Sequence, residues 1–301
     1  MAIQKEVWIS DIENTLFAGA EFITKSVDHG AYVSDKTVHV PQAGAAPTIT
    51  KDRSSYPATI TQRTDTDLSY DLASYDTAPI LVPDVDELQT NYDKRQSILA
   101  QHTSALNDRL GLETAHNWAG TGAANIVRTT GAAGTDALAP GATGTRKVVI
   151  KDDIRALAKK LDGDNVPAMG RYLMLQTDMY YQLFSDNTLV SRDYAEGMAQ
   201  ETGVMNSLYG FKIMQRPSIV VYTNAATPVK KAVGAATATT DNLGGIAWQQ
   251  DCVSNALGDI KVFAEEDRAD YYGSVFSALI MHGSAILRSD SAGIVSLVQA
   301  A

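Results

Sequence analysis

The sequence predicts an α+β fold, and three observations carry that prediction. Helix-like and strand-like segments mix without a regular strand–helix–strand rhythm, which argues against a doubly wound parallel sheet. One uninterrupted helical pattern occupies residues 84–118, far longer than the usual helix of about 11–12 residues. The last forty or so residues read as strands almost throughout.

Composition limits what the chain can be. Its 301 residues allow two domains of about 100–200 residues, or one large domain with extensions. Met1 at the start fits a complete product. Hydrophobic residues make up 45% and charged residues 20%, a globular composition that excludes wholesale disorder. Lys and Arg number 25 against 35 Asp and Glu, a net charge of −10. Such a chain is not built to coat nucleic acid by neutralising phosphates. Cys252 is the one cysteine, so no internal disulfide forms and the fold does not depend on an oxidising compartment. Lys5, Glu6, Asp11 and Glu13 interrupt the N-terminal stretch where a signal peptide needs an unbroken apolar run. The apolar stretch 275–287 is broken by His282, Gly283 and Ser284 and falls short of the roughly 20 residues that cross a bilayer. The expectation is a soluble protein made in the cytoplasm, with no membrane partner.

Taken in order, residues 1–30 read as a mostly helical arm, with Ser10 or Asp11 capping a segment that carries Ile12, Leu16 and Phe17. Val38 and Val40 then alternate with Thr37 and His39, a short strand. Thr48-Ile49-Thr50 and residues 59–61 repeat that texture between polar turns, and Leu68, Tyr70 and Leu72 alternate as a half-buried strand. Residues 31–72 therefore look like a long hairpin with few large apolar residues. An isolated two-stranded ribbon is marginal in water, so this one folds onto its own body or lies on another molecule.

Asp84 with Glu87 forms a capping box, and Asp86 adds negative charge to the first turn. Leu88, Tyr92, Leu99, Leu106 and Leu110 line one stripe of the following helix, with Ile98, Ala105 and Leu112 beside it and Gly111 its only glycine before Trp118. Thirty-odd residues at 1.5 Å each span about 50 Å, which suggests an elongated, flat molecule. Residues 119–146, rich in Gly, Ala and Thr, read as a flexible surface excursion or loose hairpin. Gly120 and Gly122 lack the Gly-Lys-Ser/Thr of a phosphate cradle. Asp152 or Asp153 caps a helix with Ile154, Leu157, Ala158 and Leu161, ended by Asn165-Val166-Pro167. A buried strand at 172–175 and a short helix capped by Thr177 follow. After a strand at 211–214, residues 223–245 are polar. A helix through Trp248, Val253 and Leu257 is expected to stop at Gly258. Strands are expected at 260–264, 275–281, 285–287 and 294–298.

No catalytic, cofactor-binding or metal-binding set assembles. His29, His39, His102, His116 and His282 are the five histidines. His102 and His116 share a helix but stand about 21 Å apart by helical rise, too far for one metal. No HExxH, CxxC or GxSxG is present. Cys252, on the apolar side of the expected helix, reads as a buried inert thiol. Asp152-Asp153 and Glu265-Glu266 read as caps and solvated surface, and Tyr180, Tyr181 and Phe184 as core at helix spacing. The residues describe a non-enzyme with protruding elements that are not self-sufficient.

The order of elements resembles the major capsid protein of tailed bacteriophages, whose fold is the Hong Kong-ninety-seven type. Val7-Trp8-Ile9-Ser10-Asp11-Ile12 and Lys36-Thr37-Val38-His39-Val40-Pro41-Gln42-Ala43-Gly44 are similar to the openings of such proteins. Asn165-Val166-Pro167-Ala168-Met169-Gly170-Arg171-Tyr172-Leu173-Met174-Leu175, Leu208-Tyr209-Gly210-Phe211-Lys212-Ile213 and Ile286-Leu287-Arg288 match as well. The resemblance covers nearly the whole chain.

It implies an N-terminal arm at 1–30, an extended loop at 31–72 and a peripheral domain at 73–210 with a spine helix at 84–118. An axial domain at 211–262 and return strands at 263–301 complete the implied division. It also implies that the partners are further copies of the chain, as hexamers and pentamers, with a separate scaffolding protein and a portal. The shell would enclose double-stranded DNA without sequence-specific binding, as part of a virion assembled in the bacterial host cytoplasm. Some members crosslink through a lysine and an asparagine; Lys36 and Lys51 lie in or beside the loop, and self-crosslinking is not expected. Lys36, Lys51, Arg53 and Arg63 face Asp35, Asp52, Asp65 and Asp67 along the loop region, and of these Lys36, Lys51, Arg53, Arg63, Asp35 and Asp52 are the expected intersubunit contacts. An encapsulin-type compartment has the same fold. A monomeric ligand-binding or hydrolytic protein is the alternative of another class.

Overall fold

The computed structural model describes residues 21–44, 47–54, 56–58, 60–83, 94–185 and 207–301. A short 3-10 turn at Glu21–Thr24 leads to β1 (Val27–Asp28), β2 (Val33–Ser34), β3 (Thr37–Gln42), β4 (Thr66–Asp71), β5 (Ala73–Asp76) and β6 (Ile80–Pro83). Helix α1 (Lys94–Trp118) is followed by β7 (Ile126–Arg128), β8 (Ala133–Asp136) and β9 (Thr145–Lys147). Next come α2 (Lys151–Gly163), β10 (Arg171–Gln176) and α3 (Thr177–Leu183). The C-terminal part holds β11 (Ser207–Leu208), β12 (Phe211–Arg216), β13 (Val220–Tyr222), β14 (Asn242–Gln249), β15 (Val253–Arg268), β16 (Gly273–Ile286) and β17 (Ile294–Val298). The fold is α+β, as the sequence predicts.

Two sheets dominate. A seven-stranded mixed sheet runs β11-β12-β10-β14-β17-β7, with β13 also on β14. A five-stranded sheet runs β1-β15-β16-β5, with β6 also on β16. Strands β10, β14 and β17 are buried along their whole length, which requires cover on both faces and explains why they read as near-continuous apolar runs. Alternation divides β10 between the two faces. Leu173 and Leu175 pack with Ile154, Leu157 and Leu161 of α2 and Met179 of α3, while Tyr172 and Met174 pack with Trp118, Trp248 and Ile294. Gly244 and Gly245 in β14 leave room for that packing. A Cβ on Gly244 would stand 2.6 Å from Tyr222 Cε2, and one on Gly245 would stand 2.9 Å from the Met174 carbonyl oxygen.

The two sheets meet at an aromatic cluster. Trp118 at the end of α1 and Trp248 at the end of β14 have centroids 5.6 Å apart. Phe22 meets Trp118 edge-on at 5.8 Å, and Tyr172 stacks on Trp248 at 5.7 Å. Both indoles donate to backbone, Trp118 to the Ser254 carbonyl at 3.1 Å and Trp248 to the Lys25 carbonyl at 2.9 Å. Farther along α1, Leu106 and Leu110 pack on Val262, Ala278 and Ile280 of the five-stranded sheet. Arg216 explains the lone glycine of α1. Its guanidinium hydrogen-bonds Asp108 at 3.0 Å and stands 5.4 Å over the Phe22 ring, and a Cβ on Gly111 would meet its Nη1 at 2.0 Å.

Several expectations are corrected. The helix through Trp248, Val253 and Leu257 is instead the end of β14, a 3-10 turn at Gln250–Cys252 and the start of β15. Helical spacing of apolar residues arises there because both strands bury residues on both faces. Gly258 therefore ends no helix. It sits inside β15 at the register irregularity between Leu257 and Ile260, where a Cβ would lie 2.9 Å from Met281 Cβ. Cys252 is buried, as expected, but on the turn. The polar stretch 223–245 ends in β14, and the strands expected at 275–281 and 285–287 are one strand up to Ile286, β16. No strand occurs at 48–50 or at the described residues of 59–61.

The segment 119–146 is no loose excursion. It carries β7, paired in parallel with β17, and the β8–β9 hairpin. Buried Arg146 ties it down through the Asn242 side chain at 2.5 Å and through the carbonyls of Thr240 at 3.1 Å and Asp241 at 3.3 Å. At α2 the residue before the first turn is Ile150, so neither Asp152 nor Asp153 occupies the cap position; Asp153, the third helical residue, reaches back to accept from the Ile150 amide at 3.0 Å and the Thr130 hydroxyl at 2.5 Å. At α3 the cap is Gln176, whose side chain accepts from the Asp178 and Met179 amides, and not Thr177. The arm before Glu21 and the Asp84–Glu87 capping box lie outside the described residues. The expected boundary at 210/211 falls within the seven-stranded sheet, because β12 pairs with β10, and the boundary at 262/263 falls within β15.

Two outcomes follow. Gly244→Val drives a side chain into the buried Tyr222 ring and should lower the unfolding free energy by about 1–3 kcal/mol, measured by urea denaturation. His282 on β16 is buried with no partner for Nε2 among the described residues, and burial lowers its pKa from 6.5 to about 4. The native ring stays neutral while the unfolded chain takes up a proton near pH 6.5. Stability should therefore fall as pH drops from about 6.5 to about 4, by up to ~3 kcal/mol. His282→Leu should flatten that part of the stability–pH profile.

Candidate assembly surface

The foot of the loop is built from local rules. Asp35 and Lys36 both have positive φ, 52° and 72°. That is the geometry of a two-residue type I′ turn, whose twist matches the strands it joins, here β2 and β3. Strand β3 then pairs with β4 from Thr37–Asp71 to Gln42–Thr66. Val38 is buried with Leu72 and Ala256, the Leu72 amide donates to the Lys36 carbonyl at 2.8 Å, and the Gln42 side chain reaches the Leu287 carbonyl. Thr37 donates to Asp71 at 2.7 Å, and His39 Nδ1 lies 2.7 Å from Asp67. The foot is thus moored to the five-stranded sheet.

Past Gln42 and Thr66 the mooring ends. Asp65 closes the neck, accepting from the Gly44 amide at 2.8 Å and pairing with Arg63 Nε at 2.5 Å. These contacts, the Gly44 amide first, hold its carboxyl below the usual range. A Cβ on Gly44 would meet the Thr64 carbonyl oxygen at 2.2 Å, so the neck needs glycine. Beyond it, every described residue between Pro47 and Asp67 is exposed. Ile49 is 94%, Tyr56 79% and Ile60 96% exposed. These open apolar side chains on a ribbon outside the core make the loop the candidate contact surface. A second apolar site lies at the end of the β15–β16 hairpin, where Phe263, Tyr271 and Tyr272 are exposed and Arg268 stands 5.4 Å over the Tyr271 ring.

The six charged residues singled out in the sequence do not form one cluster. Asp35 and Lys36 are exposed at the foot; Lys51, Asp52 and Arg53 are exposed at the far end, with Asp52 at φ 49°; Arg63 is on the returning limb with Asp65. Asp35, Lys36, Lys51 and Asp52 have no ion pair among the described residues, and Arg53 reaches only the Thr50 hydroxyl at 3.4 Å. The sequence reading passed over Ile49, Tyr56 and Ile60 as contact residues, although large apolar side chains isolated among Thr, Ser and charged neighbours were the available signal. The Gly44–Asp65 staple had no sequence signal. Among the described residues no three of His, Cys, Asp and Glu gather as a metal-binding group, and no helix is long and apolar enough to cross a membrane.

A family model described as phage capsid protein matches residues 20–298. No curated protein matches the sequence. Among solved structures, the capsid of cyanophage P-SCSP1u is similar at 20% identity with a TM-score of 0.66, covering 91% of this chain and 86% of that one. A structure from Mycobacterium phage Che8 is similar at 20% identity and TM-score 0.65, covering 92% and 90%. The capsid of Ralstonia phage GP4 is similar at 11% identity and TM-score 0.62, covering 92% and 87%.

Gly44→Val should open the neck while leaving the cores untouched. The expected result is an unfolding free energy within about 0.5 kcal/mol of the parent, with several-fold faster tryptic cleavage at Lys51 and Arg53 in unassembled subunits.

Proposed function

The chain belongs to the phage capsid protein family, and we propose that it is the shell subunit of a tailed-phage virion, self-assembling as hexamers and pentamers around double-stranded DNA. The observation that carries this reading is the loop beyond Gly44, which exposes Ile49, Tyr56 and Ile60 on a ribbon with no core of its own.

A closed shell needs heterologous contacts whose rotations close. The loop laid over a neighbouring copy supplies one such contact, and strand pairing between chains is a second. Apolar burial of Ile49, Tyr56 and Ile60 provides the attraction in the first contact. Lys51, Asp52 and Arg53 at the far end, with Asp35 and Lys36 at the foot, set register, since charge pairs at such surfaces govern specificity more than affinity. The five-stranded sheet with α1 serves as the peripheral part of the subunit and the seven-stranded sheet as the axial part, a division by sheets in place of boundaries at 73–210 and 211–262. A net charge of −10 suits a wall that holds DNA without gripping its phosphates. A separate scaffolding protein and a portal complete the assembly in the host cytoplasm.

Deleting residues 42–62 should leave folded monomers, lighter than the 32.3 kDa intact chain, that build no shells by sedimentation and electron microscopy. Unchanged assembly refutes the role of the loop. Particles of the intact chain that protect DNA from nuclease support a genome container. Particles filled with cargo protein place the chain with encapsulin-type compartments. A strictly monomeric intact chain with a substrate-sized pocket in use returns it to the ligand-binding or hydrolytic class.

A further inference from the structure

Among the described residues, three of the four buried side-chain polar atoms without a hydrogen-bond partner lie along one seam, that between α1 and β16. His102, Leu106 and Leu110 follow one another at four-residue intervals on α1, and the two leucines pack on Ala278 and Ile280 of β16. Alternation puts Ser274, Phe276, Ala278, Ile280, His282 and Ser284 on the same face of β16, and all six are buried. His102 Nε2, Ser274 Oγ and His282 Nε2 are the atoms left unpaired. Stronger polar anchors hold α1 elsewhere. Arg216 of β12 bonds Asp108 at 3.0 Å, Lys230 donates to the carbonyls of His116 at 2.7 Å and Ala119 at 3.3 Å, and Trp118 donates to Ser254. Near that anchored end Asn117 donates to Ser284 Oγ at 3.0 Å. The helix is thus fixed to the seven-stranded sheet and, at its end, to β15, while its seat on the middle of β16 is apolar contact beside unpaired polar atoms.

We propose that this seam is an acid-opened joint: a proton taken up by His282 parts β16 from α1 at Leu106 and Leu110, while Trp118 and the seven-stranded sheet stay folded. A charged imidazole has no acceptor for Nε2–H in the closed seam and gains water when the seam opens. The anchors of α1 on the other sheet use no imidazole. Around His282, α1 carries Asp108, Arg109, Glu113 and His116, β5 carries Tyr75 and Asp76, and β4 carries Asp67, Tyr70 and Asp71. The residue opposite on β15 is neutral Leu257. Arg109 is paired with Glu113 at 2.6 Å and Asp108 with Arg216. None of these groups moves the His282 pKa, which burial alone lowers from 6.5 to about 4. The closed seam holds the neutral ring and the open one accepts the proton near pH 6.5. Opening is therefore favoured as pH falls from about 6.5 to about 4, and its equilibrium constant should be about thirtyfold higher at pH 5 than at pH 8. The proposal concerns a joint within one subunit and does not depend on the shell reading.

The test places a thiol in the seam, Ala278→Cys in the unassembled full-length chain, and measures its labelling by a dithiodipyridine at pH 8 and pH 5. Native Cys252 lies in a different core cluster, with Leu173 and Val295, and reports general unfolding. Each rate is divided by that of the urea-unfolded chain at the same pH, which removes the thiols' own ionisation. The normalised rate at the introduced thiol is expected to rise about thirtyfold between pH 8 and pH 5, with Cys252 changing less than about twofold and with His282→Leu removing most of the rise. Equal rates at the two pH values overturn the proposal. A parallel rise at Cys252 overturns it too, because the whole subunit would then be unfolding, and so does an undiminished rise in His282→Leu. Should Ala278→Cys fail to fold, Leu106→Cys puts the thiol on the opposite wall of the seam, with the same expected rise and the same overturning results.

Discussion

The packing of Trp118 against Trp248 is the contact on which the rest of the molecule depends. It joins the end of the long helix, the central strand of the seven-stranded sheet, the 3-10 turn that precedes the loop and the first residues of the long β15–β16 hairpin. Burying aromatic rings of this size contributes several kcal/mol, and edge-on or offset neighbours add about 0.5–1.5 kcal/mol per pair. Both indole N–H groups are satisfied by backbone carbonyls, so neither tryptophan buries an unpaired donor. Trp118 is thereby fixed both to the other sheet and to β15, through Ser254.

From that fixed point the structure becomes less self-sufficient with distance. The seven-stranded sheet has cover on both faces. The five-stranded sheet has α1 on one face, and its long hairpin ends in exposed aromatics. Among the described residues, the loop has Val38, Leu72 and Ala256 buried at its foot, with Val33, Val40, Tyr70 and Met281 packed against them, and no buried residue between the Gly44–Asp65 neck and the far end. Burial of a large apolar side chain is worth about 1.5–3 kcal/mol. Ile49, Tyr56 and Ile60, exposed among the described residues, together therefore hold several kcal/mol of burial for a contact to collect. In a shell every copy is both donor and recipient of such a contact, so a modest gain per subunit is repeated around a closed surface.

The sequence was most legible where one segment settles its own structure. The apolar run of β10, the stripe of α2 and the strand alternation of β3 are local patterns, and they hold. Residues 248–257 were misread because Trp248, Cys252, Val253 and Ala256 are all buried, and burial on both faces of two joined strands imitates a helical stripe. Residues 119–146 were misread for the opposite reason. They contain almost no large apolar residues, and their order comes from Arg146 reaching Asn242, 96 positions away. The candidate surface was legible as a location and not as chemistry. The charged residues drew attention as a set, whereas the fold scatters them between foot and far end and exposes Ile49, Tyr56 and Ile60 beside them.

The central claim is that the loop beyond Gly44 completes its burial on another copy of the same chain. Hydrogen–deuterium exchange over residues 47–65, compared between assembled particles and dissociated subunits under one set of conditions, tests it most directly. The account predicts fast exchange in subunits and strong protection in particles, with modification of Tyr56 suppressed in parallel. Equal, fast exchange in both states would contradict it, because particles would then be forming without the loop being covered.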